Sequence, residues 1–140
     1  MTEKIFGMLG LMRRASAIVP GEDKAAEAVR AGKGKLLLLA EDVADNARRK
    51  AENFSAGRSV ALVPLPFDRA ALGDALGLGS CSVAAVTDLG FAQAFAGLLA
   101  ARWPERYTEL AESVRRRKEK ADRRKLQKGR KRVGTRRTKV

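Results

Sequence analysis

Five consecutive apolar residues, Leu36 to Ala40, constrain the fold of this 140-residue chain more than any other segment. The run is too short for an average helix, and it has no polar face that could point to water. A strand buried on both faces is typical of a sheet that carries helices on either side. The segment therefore predicts a central strand in an α/β domain.

The segments around this strand alternate between helical and extended patterns. Helices are predicted at about 3–14, 22–31, 45–56, 68–76 and 88–99, and further strands at 16–19, 60–63 and 82–86. Asp68, Asp88 and either Asp42 or Asp45 are the expected N-caps, and Gly32 is a helix stop. The alternating order predicts a three-layer α/β/α sandwich around a small mixed four-stranded sheet.

Positive charge is concentrated in the last 40 residues. The formal net charge of +13 divides into +1 for residues 1–100, from 12 Lys/Arg and 11 Asp/Glu, and +12 for residues 101–140, from 17 and 5. Trp103-Pro104 marks the border, so we predict a domain at 1–103 and a basic C-terminal extension at 104–140. The extension is expected to be helical from Pro104, with an apolar stripe between Tyr107 and Val114, and disordered from Lys128 when free.

An extension of this charge density attracts polyanions, because neutralised phosphates release condensed counterions. Nucleic acid is the first expected partner, and an anionic membrane surface is the second that charge alone allows. The phosphate contacts expected in the extension are Arg115, Arg116, Arg117, Arg123, Arg124 and Lys125.

Residue types that carry metal, disulfide or nucleophile chemistry are scarce. Cys81 is the single cysteine and histidine is absent, which excludes an intramolecular disulfide and the usual Cys/His zinc sites. Cys81 is therefore expected to be a small loop or core thiol. No signal-peptide pattern or apolar run of roughly 20 residues occurs. We expect a soluble cytoplasmic protein that is not an enzyme and binds no cofactor, metal or membrane.

Two polar clusters allow more than one interpretation. Glu41, Asp42 and Asp45 follow the central strand and have the chemistry of a metal or acid/base site, but helix capping explains them better. Residues 31–35 resemble a phosphate-binding loop, yet they precede a strand instead of a helix. They are predicted to end a helix, with Lys33 and Lys35 exposed and able to contact an RNA backbone.

Several sequence blocks match one family in order and spacing. They are GLMRRA (10–15), VPGED (19–23), AVRAGK (28–33), KLLLLAED (35–42) and VAAVTDLGFA (83–92). In these blocks the chain resembles the ribosomal protein L7Ae/L30e family, particularly its bacterial stand-alone members, over about residues 5–98. The resemblance implies an α/β/α sandwich that binds kink-turn RNA, a sharply bent internal loop with sheared G·A pairs.

The resemblance also implies where RNA binds. The family contacts RNA through the start of its second helix, the loop after its central strand and the loop before its last strand. In this chain those segments contain Gly21, Glu22, Asp23, Lys24 and Glu27; Glu41 and Asp42; and Gly79, Ser80 and Cys81. Arg13, Arg14 and Arg30 are expected to flank this edge and contact RNA, and Lys33 is a further candidate contact.

At the second helix the family pattern is Gly-x-Asn-Glu-x-x-Lys, where this chain has Asp23, Lys24 and Glu27 after Gly21. The acid at position 27 would repel the phosphate that the family lysine supports. One hypothesis is a monomeric protein that binds structured or ribosomal RNA, with affinity from the basic extension. The other is an interaction scaffold on the same fold, with only nonspecific electrostatic binding of RNA. The reversed charges favour the scaffold, whereas the intact sequence blocks and the extension favour RNA binding.

Overall fold

A computed structural model describes residues 2–138 of the chain, with side chains described for residues 2–128. Within this part, helices and strands alternate as the sequence predicts. The elements are α1 (Thr2–Arg14), β1 (Ile18–Pro20), α2 (Glu22–Arg30), β2 (Leu36–Leu39), α3 (Asp45–Ser55), β3 (Ala61–Pro64), α4 (Arg69–Ala75), β4 (Val83–Val86), α5 (Leu89–Arg102) and α6 (Pro104–Thr138).

The four strands form one mixed sheet with the order β1-β4-β2-β3. β4 is antiparallel to both of its neighbours, whereas β2 and β3 are parallel. All four residues of β2 are buried, and the strand lies between β4 and β3. The prediction of a central strand covered on both faces is therefore confirmed.

The strand directions give the sheet two distinct ends, the Gly21 end and the Lys35 end. The Gly21 end is where β1, β2 and β3 finish and β4 begins, next to Pro20, Leu39, Pro64 and Val83. The Lys35 end is where β2 and β3 begin and β4 finishes, next to Ile18, Leu36, Ala61 and Val86.

Alternate residues of the central strands point into two separate hydrophobic clusters. Leu36 and Leu38 pack with residues of α1, α4, α5 and α6 on one face of the sheet. Leu37 and Leu39 pack with residues of α2 and α3 on the other. The period-2 alternation of a strand separates these side chains, so a fully apolar strand supplies both cores. The three-layer α/β/α sandwich is confirmed.

Two of the predicted helix caps are confirmed and one is wrong. Asp68 accepts a hydrogen bond from the backbone N–H of Ala71 at 2.8 Å, and Asp88 accepts one from Phe91 at 2.9 Å. Such caps typically stabilise a helix by about 1 kcal/mol. Neither Asp42 nor Asp45 caps α3: Ala44 occupies that position without a side-chain bond, and Asp45 is already in the helix.

The first turns of α6 belong to the core. Tyr107 and Val114 are buried in the cluster on the α5 face, and the Tyr107 hydroxyl donates a 2.6 Å hydrogen bond to the carbonyl of Pro64 at the Gly21 end. The Arg117 guanidinium donates to the carbonyls of Lys35 and Ser59 at the Lys35 end. α6 therefore runs along the domain from one end of the sheet to the other.

α6 continues as a helix to Thr138, whereas the sequence predicted disorder from Lys128 in the free chain. Few apolar residues remain there to pack; lysine and arginine are good helix formers and no proline interrupts them, while Gly129 and Gly134 are poor helix formers. The local propensity of the basic residues favours the continuation. The division of the chain at residue 103 stays a prediction. Within the described part, no helix has the length and apolarity needed to cross a bilayer.

Candidate nucleic-acid interface

Three loops converge at the Gly21 end of the sheet. The Gly21 N–H donates to the carbonyl of Val83 at 2.8 Å, which joins the start of α2 to the start of β4. The Ala40 N–H donates to Ser82 at 2.9 Å, which joins the end of β2 to the same segment. The structure thus brings together segments 21–27, 41–42 and 79–81, which are far apart in the sequence.

The N-terminus of α2 faces solvent at this end. Gly21 precedes the helix with φ 105° and ψ 143°, a conformation that favours glycine, and among the described side chains none caps the helix. The N–H groups of the first helical turn have no intrahelical acceptor, and together with the helix dipole they favour an anion. Glu22 and Asp23, both exposed, already supply negative charge to this turn.

Asp42 fixes the loop after β2 to the start of α4. Its carboxylate accepts hydrogen bonds from the Arg69 backbone N–H at 2.7 Å and from the Arg69 guanidinium at 3.4 Å. Desolvation raises the pKa of Asp42, but these hydrogen bonds and the charge of Arg69 hold the pKa below its ordinary value. No group of three metal-ligating side chains occurs among the described residues. The carboxylate thus positions a loop.

Cys81 anchors the loop before β4. Its backbone N–H donates to the carbonyl of Arg69 at 3.1 Å, and its buried thiol donates to the carbonyl of Val83 at 3.4 Å. Burial raises the pKa of the Cys81 thiol, against a smaller opposing effect of the Gly21 and Val83 backbone. The expected core thiol is confirmed. Within this segment the exposed residues Gly79 and Ser80 are accessible to a ligand.

Gly73 in α4 determines how closely this loop packs, and the sequence analysis missed it. A Cβ atom at Gly73 would lie 2.5 Å from the Cα of Ser80 and 2.7 Å from its nitrogen, which is closer than real Cβ contacts. The backbone of residue 80 cannot give way as a flexible side chain could. The sequence does contain a hint, because a glycine inside a helical pattern often marks a position where another segment of backbone packs closely against the helix.

The variant Gly73→Ala is expected to displace segment 79–81 and to lower the free energy of unfolding by about 1–3 kcal/mol, through overpacking. Gly97→Ala is the matched control, because a Cβ at Gly97 in α5 meets no atom within 4 Å. That variant should raise stability by about 0.5–1 kcal/mol. Urea unfolding of both variants measures the difference. Equal stabilities would show that the packing of Ser80 against α4 leaves room for a Cβ atom at position 73.

The predicted flanking cations lie elsewhere. Arg13 and Arg14 end α1, which leads into the start of β1, and Arg30 ends α2, with Lys33 in the following turn. These are positions at the Lys35 end, opposite Gly21. The expectation that Arg13, Arg14 and Arg30 flank the edge formed by the three loops is therefore wrong, because α2 carries the chain from one end of the sheet to the other. Their contact with RNA stays a prediction.

The candidate residues of α6 fall into two groups. Arg115 pairs with Glu112 and Glu119 at 2.7 Å, and Arg117 donates to two backbone carbonyls while desolvation lowers its pKa. The other group has no ion pair among the described side chains and is exposed: Arg116, Arg123, Arg124 and Lys125. The second group is the better placed to meet phosphates.

Comparisons with known proteins agree with this architecture. The model of the ribosomal protein L7Ae/L30e/S12e/Gadd45 family matches residues 3–96. The RNA-binding protein YlxQ of Bacillus subtilis is 37% identical over 94 residues, which are 67% of this chain and 93% of that protein. A protein of unknown function from Bacillus halodurans has a similar structure, with a TM-score of 0.64 and 28% identity over 68% of this chain and 95% of that one.

A more distant structural neighbour is the 15.5 kD RNA-binding protein of Giardia lamblia. Its TM-score is 0.56 at 20% identity, with 81% of this chain and 88% of that chain covered. At this identity the likeness shows the shared fold. The family match spans most of the sandwich from α1 into α5, and the relative from Bacillus subtilis is covered nearly completely. The chain therefore belongs to the ribosomal protein L7Ae/L30e/S12e/Gadd45 family.

Proposed function

We propose that this protein is an RNA-binding module in which the Gly21 end contacts structured RNA of the kink-turn type. The observation that carries the proposal is the convergence of segments 21–27, 41–42 and 79–81 at one end of the sheet. Family membership and the RNA-binding relative support it. In this proposal the protein binds RNA and catalyses no reaction. The expected partner is ribosomal RNA or another structured RNA, and the protein binds it as a monomer.

The Gly21 end offers two complementary surfaces to such an RNA. Free N–H groups at the start of α2 suit a phosphate of the bent backbone. The exposed loop at Gly79 and Ser80 suits a splayed base, since sequence-specific RNA recognition mostly targets unpaired nucleotides. The ion pair of Asp42 with Arg69 holds the loop after β2 next to the start of α2 and the loop at Gly79 and Ser80.

Lys24 offers a cation to this surface where the family lysine is replaced by Glu27. The two positions are three residues apart in α2, so they lie on the same face, one turn from each other. Both line a depression that runs along β1 from the Gly21 end toward Ser16, Lys33 and Thr87 at the Lys35 end. We propose that the phosphate contact moves one turn toward the N-terminus of α2, to Lys24.

A binding experiment tests this proposal. The full chain is titrated with a kink-turn RNA and with the same RNA whose G·A pairs are disrupted, and the intact RNA is expected to bind more tightly. Glu27→Lys should strengthen binding about tenfold and steepen the dependence of log K on log salt by about 0.9, because it adds one phosphate contact.

Glu52→Lys is the matched control, since Glu52 is an exposed residue of α3 with the same charge change and no ion pair among the described side chains. It is expected to change affinity much less. If the two RNAs bind equally and both variants have the same effect, the kink-turn proposal fails. The chain would then be an electrostatic RNA binder or a scaffold on the family fold.

A further inference from the structure

The Lys35 end of the sheet carries a second, strongly basic surface. Four turns meet there, at residues 13–17, 30–35, 55–60 and 87–88, and together they contain six basic residues and one acidic residue. We name this surface the basic pole, and its members are Arg13, Arg14, Arg30, Lys33, Lys35 and Arg58.

The cations of the basic pole are available for a ligand. All are exposed except the half-buried Lys35, and none of them forms an ion pair with another described side chain. The Arg58 guanidinium donates to the carbonyl of Arg30 at 3.4 Å, which holds two of the turns together. Asp88, the one acid, is engaged as the cap of α5. The charge of the pole is therefore not neutralised within the described domain.

α6 reaches this same pole and extends from it. Arg117 binds the carbonyls of Lys35 and Ser59, so the basic part of α6 begins where the turns of the pole end. The next residue, Lys118, lies beside Gly90 in the first turn of α5. Lys120 and the exposed Arg123 follow along the helix. The pole and α6 are thus one continuous basic surface.

The two ends of the sheet differ in charge. The three loops of the Gly21 end, together with the start of α4, expose the carboxylates of Glu22, Asp23, Glu27, Glu41, Asp42 and Asp68. The cations at this end are Lys24, Arg69, which is paired with Asp42, and Arg106 of α6, which donates to the carbonyl of Pro64. A polyanion that binds through charge alone is therefore attracted to the basic pole and not to the Gly21 end.

The chemistry of the basic pole fits the backbone of a double helix better than a single strand. Proteins that bind single strands without sequence preference stack bases on exposed aromatic side chains; the four turns contain none, and the adjoining Phe54 is partly buried against the cluster on the α2 face. The pole offers cations on turns fixed by the sheet and on a helix that is tied to them. Such an array suits the regular phosphates of a duplex.

We propose that the basic pole and the adjoining part of α6 bind the phosphate backbone of duplex RNA, at a site separate from the Gly21 end. α2 spans the distance between the two surfaces, and its nine residues correspond to roughly 14 Å. One molecule would therefore hold two RNA segments at opposite ends of the same sheet. The duplex site does not depend on the kink-turn proposal, whereas the simultaneous binding of two RNA segments rests on it.

The test compares two triple variants of the full chain. Arg13→Gln/Arg30→Gln/Lys33→Gln changes the pole, and Arg48→Gln/Arg49→Gln/Lys50→Gln removes the same charge from exposed positions of α3. Each binds a fully paired RNA duplex across a salt series. The pole variant should lower the slope of log K against log salt by about 2–3 and weaken binding about a hundredfold at 0.1 M salt, because three phosphate contacts are lost.

The α3 variant should keep nearly the full slope. Equal losses in both variants would overturn the proposal, because net charge alone would then explain the binding. A competition experiment with phosphatidylserine vesicles is a further check. If the vesicles displaced the RNA duplex from the full chain at a lipid phosphate concentration below that of the RNA phosphate, the proposal would also be overturned. The duplex has no internal loop, so a failure of kink-turn preference leaves this measurement intact, and the two proposals fail separately.

A second measurement addresses the bridging of two RNAs. A labelled kink-turn RNA saturated with the full chain is mixed with an unlabelled duplex, and a slower ternary complex is expected on a native gel. The pole variant should form the binary complex without the ternary one. A ternary complex that forms equally well with the pole variant would show that the duplex binds elsewhere.

Discussion

A chain that ends at Trp103 is expected to be about 5 kcal/mol less stable than one that ends at Lys118, as measured by urea unfolding. The shorter chain loses Tyr107 and Val114, which are 3% and 0% exposed in the core, and the flanking Leu110 and Ala111. Full burial of each large apolar side chain contributes about 1.5–3 kcal/mol. The hydrogen bond from Tyr107 to Pro64 adds about 1 kcal/mol. Small domains are stable by about 5–15 kcal/mol, so the shorter chain should be largely unfolded or close to it.

The chain 1–118 is the control because it keeps these packed residues and both hydrogen bonds of Arg117. Tyr107→Phe in the full chain tests the hydroxyl separately and should cost about 1 kcal/mol. Equal stability of chains 1–103 and 1–118 would show that the domain ends at residue 103, as the composition suggested. A strong loss would instead place the end of the folding unit inside α6.

The same chain 1–118 is expected to stay folded but to bind structured RNA about a thousandfold more weakly than the full chain at moderate salt. Residues 119–140 contain 11 Lys/Arg and two Asp/Glu. If about half of these cations contact phosphates, the slope of log K against log salt falls by roughly 5. Fluorescence anisotropy with one labelled RNA across a salt series gives both quantities.

Length and charge are separated by a full-length variant in which the 11 basic residues of 119–140 become glutamine. Its affinity should match that of the chain 1–118, because counterion release depends on charge and not on chain length. An unchanged affinity and slope in either chain would contradict a role for the extension in binding RNA. The sandwich alone would then carry the interaction.

Much of the sandwich could be predicted from local patterns. The apolar run at 36–40 indicated a strand with both faces covered, and the structure buries Leu36 and Leu38 on one side and Leu37 and Leu39 on the other. The alternation of helical and extended patterns along the chain then predicted the helices. These predictions succeeded because burial, periodicity and capping act over a few residues, which a single sequence displays.

The misplaced cations show where local patterns stop being informative. Arg30 follows Gly21 by nine residues, and this looked like one surface in the sequence. A helix of that length crosses the whole sheet, so the two residues lie at opposite ends. Only the strand order and directions establish which turns meet. The contact of Arg117 with Lys35 and Ser59 likewise joins residues 82 and 58 positions apart, and no local pattern predicts it.

The cap on α3 failed for a related reason. Asp42 has the right residue type for an N-cap but lies two residues before the N-cap position at Ala44, and Arg69 offers it a backbone N–H and a guanidinium from the start of α4. Two hydrogen bonds, one of them from a guanidinium cation, stabilise a carboxylate more than the single backbone N–H of a cap does. The preference of a residue for a local partner is thus overridden when the fold brings a better donor near.

The attachment of Arg117 gives α6 a fixed direction relative to the sheet, and this has a consequence for avidity. A flexible tail would search a large volume, and its effective concentration near a bound RNA would fall as its length increased. A helix tied to two carbonyls at Lys35 and Ser59 instead presents its cations at a constant angle and offset from the turns. An RNA whose phosphates match that offset can contact the turns and α6 at the same time, and its affinity then increases through bivalent binding. An RNA that does not match can contact only one of them and gains no such increase. This contribution of α6 would then discriminate between RNAs by the spacing and angle of the RNA helices, in addition to any base contact made at the Gly21 end.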